Sequence, residues 1–254
     1  MSRVVVVSGG GTGIGRAIAA RFAEDGDRVV VVGRRASALD AAAAEINSAV
    51  GGALVTTVAA DLSEPDQVER ARDEIIAAHG QVDVLVNNAG GNVEIGAPAD
   101  TVAGVAGAAW HWLGNFRSNV LTTVLLTEAL KDRLADQGGR VILLSSIAAF
   151  RGSGTGSYAG TKAALHPYSF DLAAELGPRG ITVNTVAPGY IQGTEFFRGR
   201  MSAELEQSLI SKTALKRGGT TGDVADVVHW LASPRAQHVT GEIVQLNGGE
   251  LIGR

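Results

Sequence analysis

The sequence predicts an α/β domain, a doubly wound parallel sheet of about seven strands with helices on both faces. Short Val- and Ile-rich runs, apolar at nearly every position, read as strands buried on both faces. Between them lie longer segments with alanine and leucine at helical spacing. Alternation of this kind from end to end argues for right-handed βαβ units. No charge run, low-complexity linker or fixed-period repeat divides the 254 residues, so residues 1–254 read as a single domain.

The first run, VVVVS (4–8), leads through glycines into the helical IGRAIAARFAED. RVVVV (28–32) precedes ASALDAAAAEINSA, and ALVTTV (53–58) precedes PDQVERARDEIIAAHG. VDVLV (82–86) precedes a long segment around WHWLGNFRSNVLTTVLLTEALKDRLADQ, read as a long central helix. RVILLS (140–145) precedes YAGTKAALHPYSFDLAAELG, and ITVNTV (181–186) and EIVQL (242–246) complete the strands. Pro167 falls inside the helix that begins near Tyr158, where it removes the donor to the Ala163 carbonyl and invites a kink beyond the first turn.

Composition excludes several classes of function. A formal net charge of -4 gives no overall attraction for polyanions, so no nucleic-acid partner is expected. The absence of cysteine excludes disulfides, thiolate catalysis and cysteine-based metal sites. The five histidines, His111 and His166 among them, are scattered without ligand spacing, so packing is expected of them and no metal. The amino-terminal apolar run is only four residues long, and no stretch reaches the length of a membrane span. A soluble cytoplasmic protein without a membrane partner is the expectation.

Gly9, Gly10, Gly11, Gly13 and Gly15 lie directly after the first strand and at the mouth of the first helix, with Thr12 and Ile14 between them. Glycines there let the backbone turn sharply and approach a pyrophosphate, and the helix amino terminus offers unpaired N–H donors and positive potential. This is the context of a Rossmann-type dinucleotide site. After the second strand, Arg34 and Arg35 stand where a protein reading the bare ribose diol places an acid. Two arginines suit a 2′-phosphate, so NADP(H) is the favoured cofactor and NAD(H) the alternative.

The stretch SYAGTKAAL sets Tyr158 and Lys162 four residues apart, on one face of a helix and one turn from each other. A phenol with an ordinary pKa of about 10 is a poor acid–base group at neutral pH, and a neighbouring cation favours its phenolate.

Taken in order, these motifs resemble the short-chain dehydrogenase/reductase family in its classical form. The glycine turn is similar to TGxxxGxG with Ser8 in place of threonine, followed by NNAG (87–90), Asn119, Ser145-Ser146, YxxxK at Tyr158 and Lys162, Pro188-Gly189 and NGG (247–249). The resemblance implies hydride transfer at a carbonyl or secondary alcohol, with Tyr158 as acid–base group, Lys162 tuning it and contacting the nicotinamide ribose, and Asn119 holding a water. It implies a serine that orients the substrate oxygen. Strand alignment gives that role to Ser146, whereas the usual interval to the tyrosine lands on Ser145. The loop FRGSGTGS reads one residue short, and a loop absorbs a deletion more easily than a strand, which favours Ser146.

By the same resemblance Asp61 and Leu62 contact the adenine, although Asp61 also reads as a cap for the following helix. Asn88, Ala89 and Gly90 line the adenine–ribose side, and Pro188, Gly189, Ile191 and Thr194 grip the nicotinamide. Residues 192–217 correspond to the family's substrate loop and lid, where Phe196, Phe197 and Met201 either cap an apolar substrate or serve as ordinary packing, the commoner use of such side chains. Trp110, Trp112 and Phe116 pack the long helix or border the cleft. A homotetramer, or a homodimer, is the implied assembly.

The leading expectation is an NADPH-favouring reductase of a ketone or β-ketoacyl group, or the reverse alcohol dehydrogenase, acting on a small molecule. The alternative is a catalytically silent nucleotide-binding sensor or scaffold, which has no need of a phenol, an ammonium and a serine together. Sugar-nucleotide chemistry fits poorly, because only about one helix and one strand follow Arg217.

Overall fold

A computed structural model describes residues 2–95, 97, 103–154 and 156–253. Seven strands form one parallel sheet in the order β3-β2-β1-β4-β5-β6-β7: β1 (Val4–Ser8), β2 (Arg28–Gly33), β3 (Val55–Ala59), β4 (Val84–Asn87), β5 (Arg140–Leu144), β6 (Thr182–Pro188) and β7 (Ile243–Leu246). Every expected strand is present, within about two residues of its expected ends. The order reverses direction between β1 and β4, and the crevice at such a switch point, beyond the carboxyl ends of the strands, is where open α/β sheets hold ligands.

Period-two alternation explains why the strand runs are continuously apolar. Val5 and Val7, Val29 and Val31, Val84 and Val86, and Ile142 and Leu144 face one core with Ile18 and Phe22 of α1 (Gly13–Glu24) and Val224, Val228 and Leu231 of α9 (Thr221–Leu231). Val6, Val30, Leu85, Val141, Leu143 and Val183 face the other, with Ile75 of α3 (Pro65–His79), Leu126 and Leu130 of α5 (Thr122–Leu130) and Leu165, Leu172 and Leu176 of α7 (Ser157–Leu176). Full burial of each such side chain contributes about 1.5–3 kcal/mol, so both faces hold the sheet rigid beneath the site.

The expected long central helix is interrupted. It divides into α4 (Gly104–Phe116), a π-helical turn at Arg117–Leu121, and α5. Just after the turn, in α5, Thr122, Thr123 and Thr127 each donate a hydroxyl to the carbonyl four residues back, at 2.8, 3.1 and 2.8 Å. By contrast α7 runs without interruption through Pro167. The remaining helices are α2 (Ala36–Val50), the short α6 (Ala148–Arg151) and α8 (Ala203–Lys212). Among the described residues, no helix is long and apolar enough to cross a membrane.

Candidate active site

The first turn is built around the absence of side chains. A Cβ at Gly15 would stand 2.2 Å from the Gly9 carbonyl oxygen and 2.6 Å from the Asn88 Nδ2, and Gly9 itself adopts φ +66°. Only glycine allows α1 to pack this closely on the turn that feeds it. Thr12, the N-cap of α1, makes no side-chain cap bond, and no acidic residue occupies the first turn. The helix therefore presents uncapped amides, the donors a phosphate takes.

Ser8, at the end of β1, fastens this turn to β4. Its hydroxyl accepts from the amides of Asn88 and Ala89, both at 2.9 Å, while Asn88 Nδ2 donates to the Ser8 carbonyl at 2.9 Å. Sequence reading assigned Ser8 only the place of a threonine. Its bridging role comes from strand adjacency across 80 residues, which no local spacing reveals.

From here a cleft of about 1810 Å³ extends over the carboxyl ends of the strands. All of the expected cofactor residues line it, from Gly9 and Arg34 through Asp61, Leu62 and Gly90 to Pro188, Gly189, Ile191 and Thr194. Arg34 and Arg35 line it and are exposed. Asp61 does not cap α3, whose N-cap is Glu64. Its carboxylate instead accepts from the Ser63 amide at 3.0 Å and hydroxyl at 2.8 Å. Burial pushes that carboxyl up, but the Ser63 bonds and the charges of Arg34 and Arg117 bring it below its ordinary value.

Tyr158, Lys162 and Ser146 line the same cleft, with Asn119 buried behind it. Asn119 lies within the π turn, where one extra residue re-aims its side chain. Its Oδ1 accepts from the Gly91 amide at 2.9 Å, and its Nδ2 donates to the carbonyls of Gly91 and Asn115, both at 3.0 Å. A Cβ at Gly90 would meet Asn119 Oδ1 at 2.5 Å and Lys162 Nζ at 3.1 Å, so glycine there lets all three converge.

The two serines divide. Ser145 is buried and its hydroxyl turns toward α7, donating to the Lys162 carbonyl at 3.0 Å with His166 Nε2 2.9 Å away. Ser146 faces the cleft, which the Tyr158 phenol also lines. Burial pushes the Tyr158 hydroxyl up to about 12, with the nearby Ser146 hydroxyl opposing the rise. Burial brings Lys162 down to about 8. Lys162 Nζ donates to the Leu144 carbonyl at 2.7 Å.

Residues 192–217 form a short 3-10 turn (Glu195–Phe197) followed by α8. The Phe196 ring packs against Tyr158 with centroids 5.6 Å apart, and Phe197 stacks edge-on to Phe196 at 5.1 Å and to Tyr190 at 6.1 Å. Thr194 sits against the phosphate turn, 3.7 Å from where a Gly13 Cβ would be. Sequence reading missed a buried polar node beside the cleft, where Glu94 accepts from the Ser157 hydroxyl and from Asn115 Nδ2 at 3.4 Å. No spacing links these residues, because three separate segments supply them. Thr155, in the loop that separates the serines from Tyr158, lies outside the described residues. Among the described residues no group of acidic and histidine side chains could hold a metal.

Comparison with known proteins identifies the family. A family model described as "Enoyl-(Acyl carrier protein) reductase" matches residues 9–250. An uncharacterized oxidoreductase of Methylorubrum extorquens is 38% identical over 97% of this chain and 97% of its own length. The 3-oxoacyl-[acyl-carrier-protein] reductase of Aquifex aeolicus is 33% identical over 97% and 96% of the two chains. A short-chain dehydrogenase from Burkholderia cenocepacia, solved in complex with NADP, superposes with a TM-score of 0.84 at 32% identity, covering 98% of this chain and 97% of that one. The chain belongs to the short-chain dehydrogenase/reductase family, as a nicotinamide-dependent oxidoreductase acting on C=O and CH–OH groups.

Proposed function

We propose that the protein reduces a ketone or β-ketoacyl group to the secondary alcohol, with NADPH as the favoured reductant, and catalyses the reverse oxidation. The observation that carries the reading is the convergence in one cleft of Ser146, just beyond the carboxyl end of β5, with Tyr158 and buried Lys162, which stand one helical turn apart on α7. The similar Aquifex aeolicus protein, a 3-oxoacyl-[acyl-carrier-protein] reductase by name, supports the β-ketoacyl class.

The glycine turn, the uncapped α1 amides and Arg34 and Arg35 fit a dinucleotide bearing a 2′-phosphate. When bound, the nicotinamide supplies the hydride in reduction and accepts it in oxidation. The Ser146 hydroxyl donates to the substrate oxygen and fixes its orientation. Tyr158 gives its phenolic proton to that oxygen, and burial keeps the proton on the phenol until the oxygen gains charge. Lys162, held on the Leu144 carbonyl, sets the local positive potential, and we assign Asn119 to the proton path between Lys162 and solvent. Phe196 covers the phenol from the lid side and excludes water.

The test is the loss of reduced-nicotinamide absorbance with a panel of ketones and β-ketoacyl thioesters, using NADPH and NADH separately. Turnover that falls at least about a thousandfold in Tyr158→Phe supports the reading. Silence across the panel with tight nucleotide binding argues against it.

The exposed apolar side chains Trp110, Leu113 and Phe116 on α4 and Phe170 on α7 support a self-associating face. We assign the assembly to a homotetramer built partly on these helices.

A further inference from the structure

Arg35, at the adenine end of the cleft, is bound by the lid. Its Nη2 pairs with Glu195 Oε2 at 3.0 Å and lies 3.5 Å from Thr12 Oγ1. Glu195 and Arg35 are 160 residues apart, and Glu195 opens the 3-10 turn whose next residue, Phe196, packs on Tyr158. We propose that Glu195 is a cofactor-discriminating residue: its carboxylate occupies Arg35 in place of a 2′-phosphate, so that NADPH binds by exchanging one anion for another whereas NADH leaves the pair intact. The inference rests on the assignment of Arg35 to the 2′-phosphate.

Magnitudes favour exchange. Both side chains are largely exposed, 62% for Arg35 and 65% for Glu195, and such pairs contribute only about 0–1 kcal/mol. A phosphate offers Arg35 more charge and a bidentate geometry, which a single Nη2–Oε2 contact does not. The carboxylate thus lowers NADPH affinity modestly without preventing binding. It also repels the incoming phosphate, and that cost falls on NADPH alone because NADH has a neutral hydroxyl at this position. Since Glu195 and Phe196 are adjacent on one turn, the group read at the adenine end bears directly on the cover of Tyr158 some distance away.

The experiment measures dissociation constants of NADPH and NADH by calorimetry for the full chain, Glu195→Gln, Arg35→Gln and the double variant, with no turnover involved. Glu195→Gln is expected to tighten NADPH about three- to tenfold, to change NADH less than about twofold, and to tighten NADPH distinctly less once Arg35 is Gln, when only the direct repulsion remains to be relieved. Unchanged or weaker NADPH binding in Glu195→Gln overturns the proposal. So does equal tightening of both nucleotides, which marks a general charge effect. If Arg35→Gln leaves NADPH affinity unaltered, the assignment of Arg35 fails and this proposal with it, whereas a normal loss in Arg35→Gln beside an inert Glu195→Gln rejects the proposal alone.

Discussion

Lys162 Nζ donates to the main-chain carbonyl of Leu144 at 2.7 Å, so the last residue of β5 anchors the ammonium one helical turn beyond Tyr158. Strand and helix are locked at this point from the other side as well, because Ser145 Oγ donates to the Lys162 carbonyl. Tyr158 and Lys162 therefore stand on a helix fastened to the end of β5, and their placement follows from the two cores that clamp that strand.

Buried Lys162 titrates near 8, well below its ordinary value, whereas the Tyr158 phenol is pushed up to about 12. In the reductive direction the phenol keeps its proton across the accessible range, so loss of the lysine charge sets the alkaline limit. The reduction rate is expected to fall as pH rises through about 8, and Lys162→Arg, whose charge persists, should move that limb upward. A limb that stays put in Lys162→Arg counts against this assignment.

The same lysine carries a stability cost. Its folded pKa lies below the unfolded one, so the folded state resists protonation; the penalty is fully present below about 8 and disappears above about 10.5. Lys162→Met is therefore expected to raise stability at neutral pH by about 1–3 kcal/mol while abolishing turnover. Denaturant unfolding checks it, and the gain should shrink as pH rises from 8 toward 10.5.

Ser146→Ala removes the hydroxyl that faces Tyr158 and is expected to lower kcat by about a hundredfold or more. Ser145→Ala keeps the Ser146 hydroxyl in the cleft but loses the bonds to α7, so its expected effect is a lower melting temperature with kcat within about tenfold. The reverse pattern in steady-state kinetics would assign the substrate oxygen to Ser145.

Much of this was legible because burial on both faces leaves a strand no polar positions, and a run such as VVVVS can be little else. The glycine turn and the Tyr158–Lys162 pair were equally legible, since each is a local pattern with a local cause. The break at Arg117–Leu121 was not: a π turn inserts one residue without changing composition, so the alanine- and leucine-rich segment reads as one helix. Nor was the Arg35–Glu195 pair, or the node at Glu94, because both depend on where distant segments fold.

Gly15→Ala tests the phosphate turn. The added methyl meets the Gly9 carbonyl at 2.2 Å, and backbone cannot yield as a flexible side chain does. The expected result is loss of nucleotide affinity by at least about a hundredfold, read by calorimetry, with far-ultraviolet circular dichroism retained because the sheet packs independently of the turn. Near-normal affinity would mean that the nucleotide does not lie on this turn.

The outer faces of α4 and α7 carry the last prediction. Leu113 is 65% exposed, and Phe116 and Phe170 are 44% and 46% exposed, which is unfavourable unless another surface covers them. Trp112 already lies across Gly160 of α7, where an added Cβ would stand 2.9 Å from its ring, so the two helices form one continuous surface. A second copy of the chain is the occupant expected there. Leu113→Glu combined with Phe170→Glu places two charges in that contact, and each buried unpaired carboxylate costs several kcal/mol by ordinary desolvation, about enough to separate micromolar subunits. Light scattering should show a multiple of the monomer mass for the parent chain and a smaller assembly for the double variant. A parent chain that is already monomeric, or a variant of unchanged mass, rejects this face as the interface.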